Sequence, residues 1–118
     1  MTESAAPPLS HHRAYGDLIF TSGQIGVGPD GAIPDDFDAQ THLAMRALGA
    51  QLQDAGASFE TVIKTTVFIT SHEDFAAMNA IYSEYFSTPW PSRSTLVTGL
   101  ALPALRFEIE AVAYRAGS

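Results

Sequence analysis

Apolar residues recur along this chain at intervals that predict two helices. Between residues 38 and 55 they are spaced three and four apart, which predicts an amphipathic helix that ends before Gly56. The predicted buried face of this helix carries Leu43, Ala47, Leu48 and Leu52. A second helix is predicted after Ser71, its N-cap residue, with Asp74 completing a capping box. The predicted buried face of the second helix carries Phe75, Met78, Ile81, Tyr82 and Tyr85.

Segments rich in β-branched and aromatic residues surround these helices and predict strands. The predicted strands are residues 13–15, 18–22, 62–70, 93–100 and 105–115. The first two form a hairpin around the turn signal Gly16–Asp17, and a bend at Pro103 separates the last two. In the final strand, alternation places Glu108 and Glu110 on one face of the sheet. It places Phe107, Ile109, Ala111 and Ala113 on the other face.

The order of these elements, ββαβαββ, predicts an α+β sandwich in which two helices cover one face of a mixed sheet. We expect residues 1–118 to form a single domain, with residues 1–8 as a loose N-terminal arm. No helix remains to cover the second face of the sheet, so apolar residues there require a partner surface. To this uncovered face we assign Val67, Ile69, Leu96, Ile109 and Ala111. The sequence therefore predicts an oligomer whose subunits bury their sheet faces.

Composition and charge restrict the possible functions. A chain of 118 residues, 46% of them hydrophobic, can form one globular core. Its net charge of −7 argues against a general nucleic-acid binder and against binding to anionic membranes. The sequence has no membrane-length apolar run and no signal-peptide pattern, so we expect a cytoplasmic protein. Because the chain lacks cysteine, disulfides, thiolate metal sites and a cysteine nucleophile are excluded.

Two further patterns do not predict a cofactor site. The segment GQIGVG, residues 23–28, does not match G-x-G-x-x-G and no helix starts directly after it, so we predict a turn. The histidines have no metal-ligand spacing: they are His11, His12, His42 and His72. We therefore expect neither a metal nor an organic cofactor.

The segment WPSRSTLV, residues 90–97, places Arg93 at the start of an apolar strand in a chain that has only six Lys and Arg residues. A bend before the final strand would bring Arg93 close to Glu108. An arginine and a carboxylate that line one pocket could form a site for an anionic substrate. The same two residues could instead form a structural salt bridge, and spacing alone does not separate these two interpretations.

Five segments together resemble the reactive intermediate deaminase family, also called RidA or YjgF. They are FTSGQIG (20–26), TTVFIT (65–70), DFAAMNAIYSEYF (74–86), PSRSTLV (91–97) and LPALRFEIEAVA (102–113). The resemblance implies a chorismate-mutase-like fold and a homotrimer whose sheets face inward, with active sites in the clefts between subunits. It also implies the cofactor-free hydrolysis of enamines or imines, such as 2-aminoacrylate, to 2-keto acids and ammonia.

The same resemblance implies roles for individual residues. Arg93 matches the family arginine that binds the substrate carboxylate, and Glu108 matches the acidic residue that positions or activates water. Ser22 and Gly23 match pocket residues of the S-G-Q segment. Thr95 stands where many members have cysteine, at a position that contributes backbone contacts.

Two other positions qualify this picture. Leu9 stands where archetypal members have a pocket tyrosine, which leaves room for a bulkier or less polar imine, and His11 replaces a glutamine. Asn79, in the helix motif, is predicted to order structure rather than to do chemistry. The alternative to an enzyme is a regulatory or binding protein that captures a small carboxylate metabolite at the subunit interface through Arg93.

Overall fold

A computed structural model describes residues 7–116 of the chain. Most of the predicted N-terminal arm, residues 1–6, lies outside the described residues, as do residues 117–118. The elements, in chain order, are β1 His12–Tyr15, β2 Leu18–Thr21, β3 Gln24–Ile25, α1 Phe37–Asp54, β4 Val62–Ile69, α2 Phe75–Tyr85, β5 Ser92–Val97 and β6 Phe107–Tyr114. The predicted α+β architecture with two helices on a mixed sheet is confirmed. None of the helices in this part of the chain has the length and hydropathy needed to cross a bilayer.

The strands form one sheet in the order β1-β2-β6-β4-β5, and β3 also pairs with β6. Only the β4–β5 pair is parallel among the strands described. The prediction of a turn over residues 23–28 was wrong for Gln24–Ile25, because these two residues form β3 alongside Glu108 and Ile109. Strand β4 lies between β5 and β6, so the last two strands of the chain are not neighbours.

The helices cover the sheet face that carries most of the apolar residues of β4 and β6. Val67, Ile69, Ile109 and Ala111 are buried in this core, so their assignment to the uncovered face was wrong. Leu96 alone of the five assigned residues is exposed. Alternation along a strand separates its residues into two sets, but it does not say which set the helices cover.

The uncovered face nevertheless presents large apolar side chains to solvent. Four of them, on β2, β5 and β6, are between 38% and 45% exposed: Leu18, Phe20, Leu96 and Tyr114. Strand pairing places Leu18 opposite Tyr114 and Phe20 opposite Val112, so β2 and β6 share one apolar surface. Leu96 lies on β5, three strands from β2, so apolar side chains occur across the width of this face. An apolar surface of this kind is typical of protein interfaces, so the argument for a partner surface stands on different residues.

The buried face of α1 is rotated from the predicted one. It consists of Phe37, Gln40, Thr41, Ala44, Met45, Leu48 and Leu52, whereas Leu43 and Ala47 are only partly buried. Gln40 is fully buried because its side chain holds the start of β6. Its Oε1 accepts hydrogen bonds from the backbone N–H groups of Arg106 and Phe107 at 2.6 and 3.2 Å. Its Nε2 donates to the backbone carbonyl oxygens of Pro34 and Ala104.

The N-terminus of α2 differs from the predicted capping box. The Ser71 side chain accepts a hydrogen bond from the Glu73 backbone N–H, as an N-cap should, across a short 3-10 turn. Asp74 instead binds Arg106, whose Nη2 lies 3.0 and 3.1 Å from the two carboxylate oxygens. Of the predicted buried face, Met78, Ile81 and Tyr82 are buried, Tyr85 is half-buried, and Phe75 is 44% exposed.

Candidate functional site

Two groups of predicted site residues lie at different places on the sheet. The first, the carboxylate half-site, consists of Ser22, Gly23 and Glu108. Strand β3 runs antiparallel to β6 with Ile25 opposite Glu108, and this pairing places Gly23 beneath the Glu108 side chain. A Cβ atom at position 23 would overlap the Glu108 carboxylate, so the close approach requires glycine.

The N-terminal segment that carries Leu9 lies against this half-site. The Ser22 backbone N–H donates to the His11 carbonyl oxygen at 2.8 Å, and the Ser22 hydroxyl donates to the Ser10 carbonyl oxygen. Leu9, next in the chain, is exposed. The structure therefore places Leu9 directly before the segment, Ser10–His11, that hydrogen-bonds to Ser22.

Glu108 is half-buried, and its environment favours the protonated acid. Burial raises the pKa of the Glu108 carboxyl, and the neighbouring negative charge of Glu110 raises it further. Within residues 7–116 no Lys or Arg side chain forms a salt bridge with Glu108. A half-buried carboxyl with a raised pKa is suited to accept and return a proton, which is the property a general base needs.

The second group, the arginine half-site, consists of Arg93, Thr95 and the α2 residues that contact them. Arg93 is half-buried on the edge strand β5. Its guanidinium carbon lies 4.9 Å from the centre of the Tyr82 ring and 6.0 Å from that of Phe75. Its Nη1 lies 3.9 Å from the sulfur of Met78. Cation–π contact with two rings holds the guanidinium in place without satisfying its N–H groups.

Tyr82 is itself fixed by the neighbouring strand. Its hydroxyl and the Thr65 hydroxyl are 2.8 Å apart, and Thr65 lies opposite Arg93 in the β4–β5 pair. Burial raises the pKa of Tyr82, while the Thr65 hydrogen bond and the Arg93 charge act in the opposite direction. The tyrosine therefore stays neutral at ordinary pH, so that its ring provides a π face for the cation rather than a countercharge.

Arg93 has no carboxylate partner in the part of the chain that the structure describes. The ion pair found there joins Arg106 to Asp74, and the His12 ring lies 3.6 Å from an Asp54 carboxylate oxygen. A guanidinium that is held by rings and lacks a countercharge has N–H donors available for the two oxygens of a ligand carboxylate. The guanidinium of Arg93 therefore has free donors for a carboxylate.

A cavity of about 300 Å³ adjoins Arg93. Its lining consists of Asn79, Tyr82, Ser83, Trp90, Pro91 and Arg93. Asn79, predicted to order structure, thus lines a cavity beside the arginine. Trp90 could have been singled out from the sequence, since it is the single tryptophan and stands three residues before Arg93. Its place in the cavity lining depends on the position of α2, which local spacing does not predict. Thr95 lines a separate, open depression with His72, Phe75 and Val97.

One chain does not bring the two half-sites together. Arg93 on β5 and Ala111 on β6 both pair with Thr65 of β4, so the three side chains project from the same face of the sheet. Ala111 lies in the core that the helices cover, and Arg93 accordingly contacts Tyr82 of α2. Glu108 alternates with the buried residues Phe107 and Ile109 and therefore projects from the opposite face. The expected approach of Arg93 to Glu108 was wrong within a single chain, and so was the structural salt bridge between them.

The mixed sheet and its two helices define a small α+β protein in which Arg93 and Glu108 both lack an ionic partner among the described residues. The sequence model of the family described as Endoribonuclease L-PSP matches residues 2–115. The chain belongs to this family, which is the RidA/YjgF family that its motifs resemble.

Relatives and solved structures agree with this membership. The mitochondrial protein mmf2 of Schizosaccharomyces pombe is 36% identical over 113 residues, which cover 93% of this chain and 90% of mmf2. The chloroplastic Reactive Intermediate Deaminase A of Arabidopsis thaliana is 34% identical, over 93% of this chain and 60% of that protein. The crystal structure of Escherichia coli TdcF with bound serine is 38% identical, with a TM-score of 0.85, and the match covers 95% of this chain and 91% of TdcF.

Proposed function

We propose that this protein hydrolyses 2-imino acids, or their enamine tautomers, to 2-keto acids and ammonia at a site formed by two copies of the chain. One observation carries the proposal: Arg93 and Glu108 are both without an ionic partner among the described residues, and they project from opposite faces of one sheet. A site that uses both residues on one small substrate therefore needs Arg93 from one copy and Glu108 from another. The relatives named reactive intermediate deaminase support a deaminase that acts on a reactive intermediate.

In the proposed reaction Arg93 holds the substrate carboxylate through two parallel hydrogen bonds, which fix the imine carbon in front of Glu108. Glu108 accepts a proton from a water molecule while the water oxygen forms a bond to the imine carbon. The π electron pair of the C=N bond moves to the nitrogen, which receives the first water proton from Glu108. The nitrogen then receives the remaining hydroxyl proton, again through Glu108, and leaves as ammonia with the electron pair of the broken C–N bond, while the oxygen forms the keto group. General acid–base catalysis of this kind contributes about 10²–10⁴-fold.

The exposed apolar residues of the uncovered sheet face support the assembly that this site requires. Leu18, Phe20, Leu96 and Tyr114 would be removed from water by neighbouring copies of the chain in a closed ring. We propose a homotrimer, as the family resemblance implies, and we propose separately that it lies in the cytoplasm. Light scattering should give the mass of three chains of 12.6 kDa each, and a stable single chain at micromolar concentration would contradict the shared site.

The deaminase proposal is tested with imines made in solution by an amino-acid oxidase. Addition of the protein should speed the conversion of the imine to the 2-keto acid, and Glu108→Gln should abolish this effect without lowering the melting temperature. A regulatory protein that captures a carboxylate metabolite through Arg93 would bind the 2-keto acid but leave the rate of imine decay unchanged. The two functions are therefore separated by one rate and one binding measurement.

A further inference from the structure

The cavity beside Arg93 is larger than the smallest imino acids require. It lies between α2 and the segment that precedes β5, and its volume is about 300 Å³. Apolar cavities of about 150 Å³ already accommodate a benzene molecule. A phenyl ring or a branched aliphatic chain could therefore occupy this cavity, whereas a methyl group would leave most of it to water.

The walls of the cavity are suited to an apolar group. Trp90 and Pro91 contribute large apolar side chains to the lining, and Tyr82, which is 6% exposed, contributes a small part of it. Ser83 contributes little polarity, because its hydroxyl already donates to the Ala80 carbonyl oxygen at 2.8 Å. Trp90 is 52% exposed, so it offers a large apolar surface that a ligand can cover.

The backbone around Trp90 limits its movement. Pro89 and Pro91 flank it on both sides, and each proline ring fixes its own φ angle. The backbone at Trp90 is therefore restricted before a ligand binds, which lowers the part of the ordering cost that comes from the backbone. The charged anchor and the apolar wall thus belong to one cavity.

We propose that this cavity binds the side chain of the substrate and selects 2-imino acids with large apolar or aromatic side chains over those derived from alanine. This inference rests on the proposed function, since it takes Arg93 as the carboxylate anchor. With the carboxylate on Arg93, a side chain that enters the cavity meets Trp90 and Pro91 in its lining. Trp90 is then a specificity-determining residue.

The test compares imines derived from alanine, leucine and phenylalanine by kcat/KM. The wild-type protein should favour the phenylalanine-derived imine over the alanine-derived one by about 10-fold or more, the discrimination typical of an apolar pocket. Trp90→Ala should reduce that preference by about 10-fold, because kcat/KM falls for the leucine- and phenylalanine-derived imines. Phe75→Ala is the matched control, because the centre of the Phe75 ring lies 6.0 Å from the guanidinium carbon of Arg93 but Phe75 does not line the cavity. It should change all three rates by one factor.

Equal wild-type rates on the three imines, or an equal loss on all three in Trp90→Ala, would overturn the inference while leaving the deaminase function in place. Binding supplies a readout that does not depend on turnover. The phenylalanine-derived keto acid should raise the melting temperature of the wild-type protein more than pyruvate does, and this difference should vanish in Trp90→Ala. Its persistence in the variant would refute the cavity as the side-chain subsite, even if no imine were hydrolysed.

Discussion

Replacement of Arg93 distinguishes a ligand-binding cation from a structural one. Arg93→Lys keeps the charge but loses the planar pair of N–H donors, and a hydrogen bond to a charged group contributes roughly 1.5–3 kcal/mol. The value of kcat/KM should therefore fall by about 10- to 100-fold in Arg93→Lys, and further in Arg93→Ala. The reason is that the ligand, not the protein, supplies the countercharge.

The stability of the same variants should change little. In the described chain Arg93 contacts the rings of Tyr82 and Phe75 and the sulfur of Met78, but no carboxylate. Loss of a cation–π contact costs about 0.5–2 kcal/mol, whereas a buried ion pair broken on one side costs about 3–5 kcal/mol. Thermal melting and imine hydrolysis are measured on the same three proteins. Normal turnover in Arg93→Ala, or a fall in its free energy of unfolding by about 3–5 kcal/mol, would refute the assignment of Arg93 as the substrate anchor.

Three further predictions concern the carboxylate half-site. The acid limb of the pH–kcat/KM profile should report the raised pKa of Glu108, and activity should be lost as the pH falls through that pKa. Glu110→Gln should move the acid limb to lower pH, because a like charge is removed. An acid limb that does not move would contradict the electrostatic account. Gly23→Ala should displace the Glu108 carboxylate and lower kcat by about 10²-fold or more with little effect on melting, whereas Gly99→Ala, which meets no neighbouring atom, should leave both unchanged. Leu9→Tyr should raise activity on small imines relative to large ones, and an unchanged preference would show that residue 9 does not contact the substrate.

The hydrophobic pattern predicted the elements of the fold well, since each depends on local spacing. The hairpin around Gly16, both helices and the alternation of β6 are confirmed, and Gly56 has the positive φ of 86° expected after a helix. Asp74 was assigned to a local cap because its partner, Arg106, is 32 residues away in sequence. Interactions of that range are set by the packing of elements, which local spacing does not encode.

The candidate residues could be found from sequence motifs, but their arrangement could not. The expectation that Arg93 approaches Glu108 assumed that consecutive strands are neighbours, whereas β4 is inserted between them. The burial of Gln40 was also missed, because a glutamine in a helix is ordinarily exposed. Its burial follows from the backbone groups of Arg106 and Phe107, which need an acceptor where β6 begins.

The central claim, that Arg93 and Glu108 act on one substrate from different copies of the chain, is tested most directly by subunit mixing. Arg93→Ala and Glu108→Gln are each expected to be inactive alone. When the two variants are unfolded together in equal amounts and refolded, about a quarter of the shared sites should combine an intact Arg93 with an intact Glu108.

The matched control is an equal mixture of wild-type chain with the Arg93→Ala/Glu108→Gln double variant. A shared site predicts about a quarter of full activity in that mixture as well, whereas a site within one chain predicts about half. The decisive quantity is the imine-hydrolysis rate of the refolded mixture of single variants. Recovery to about a quarter of the wild-type rate is the result that this account predicts, and a mixture as inactive as its components would contradict it.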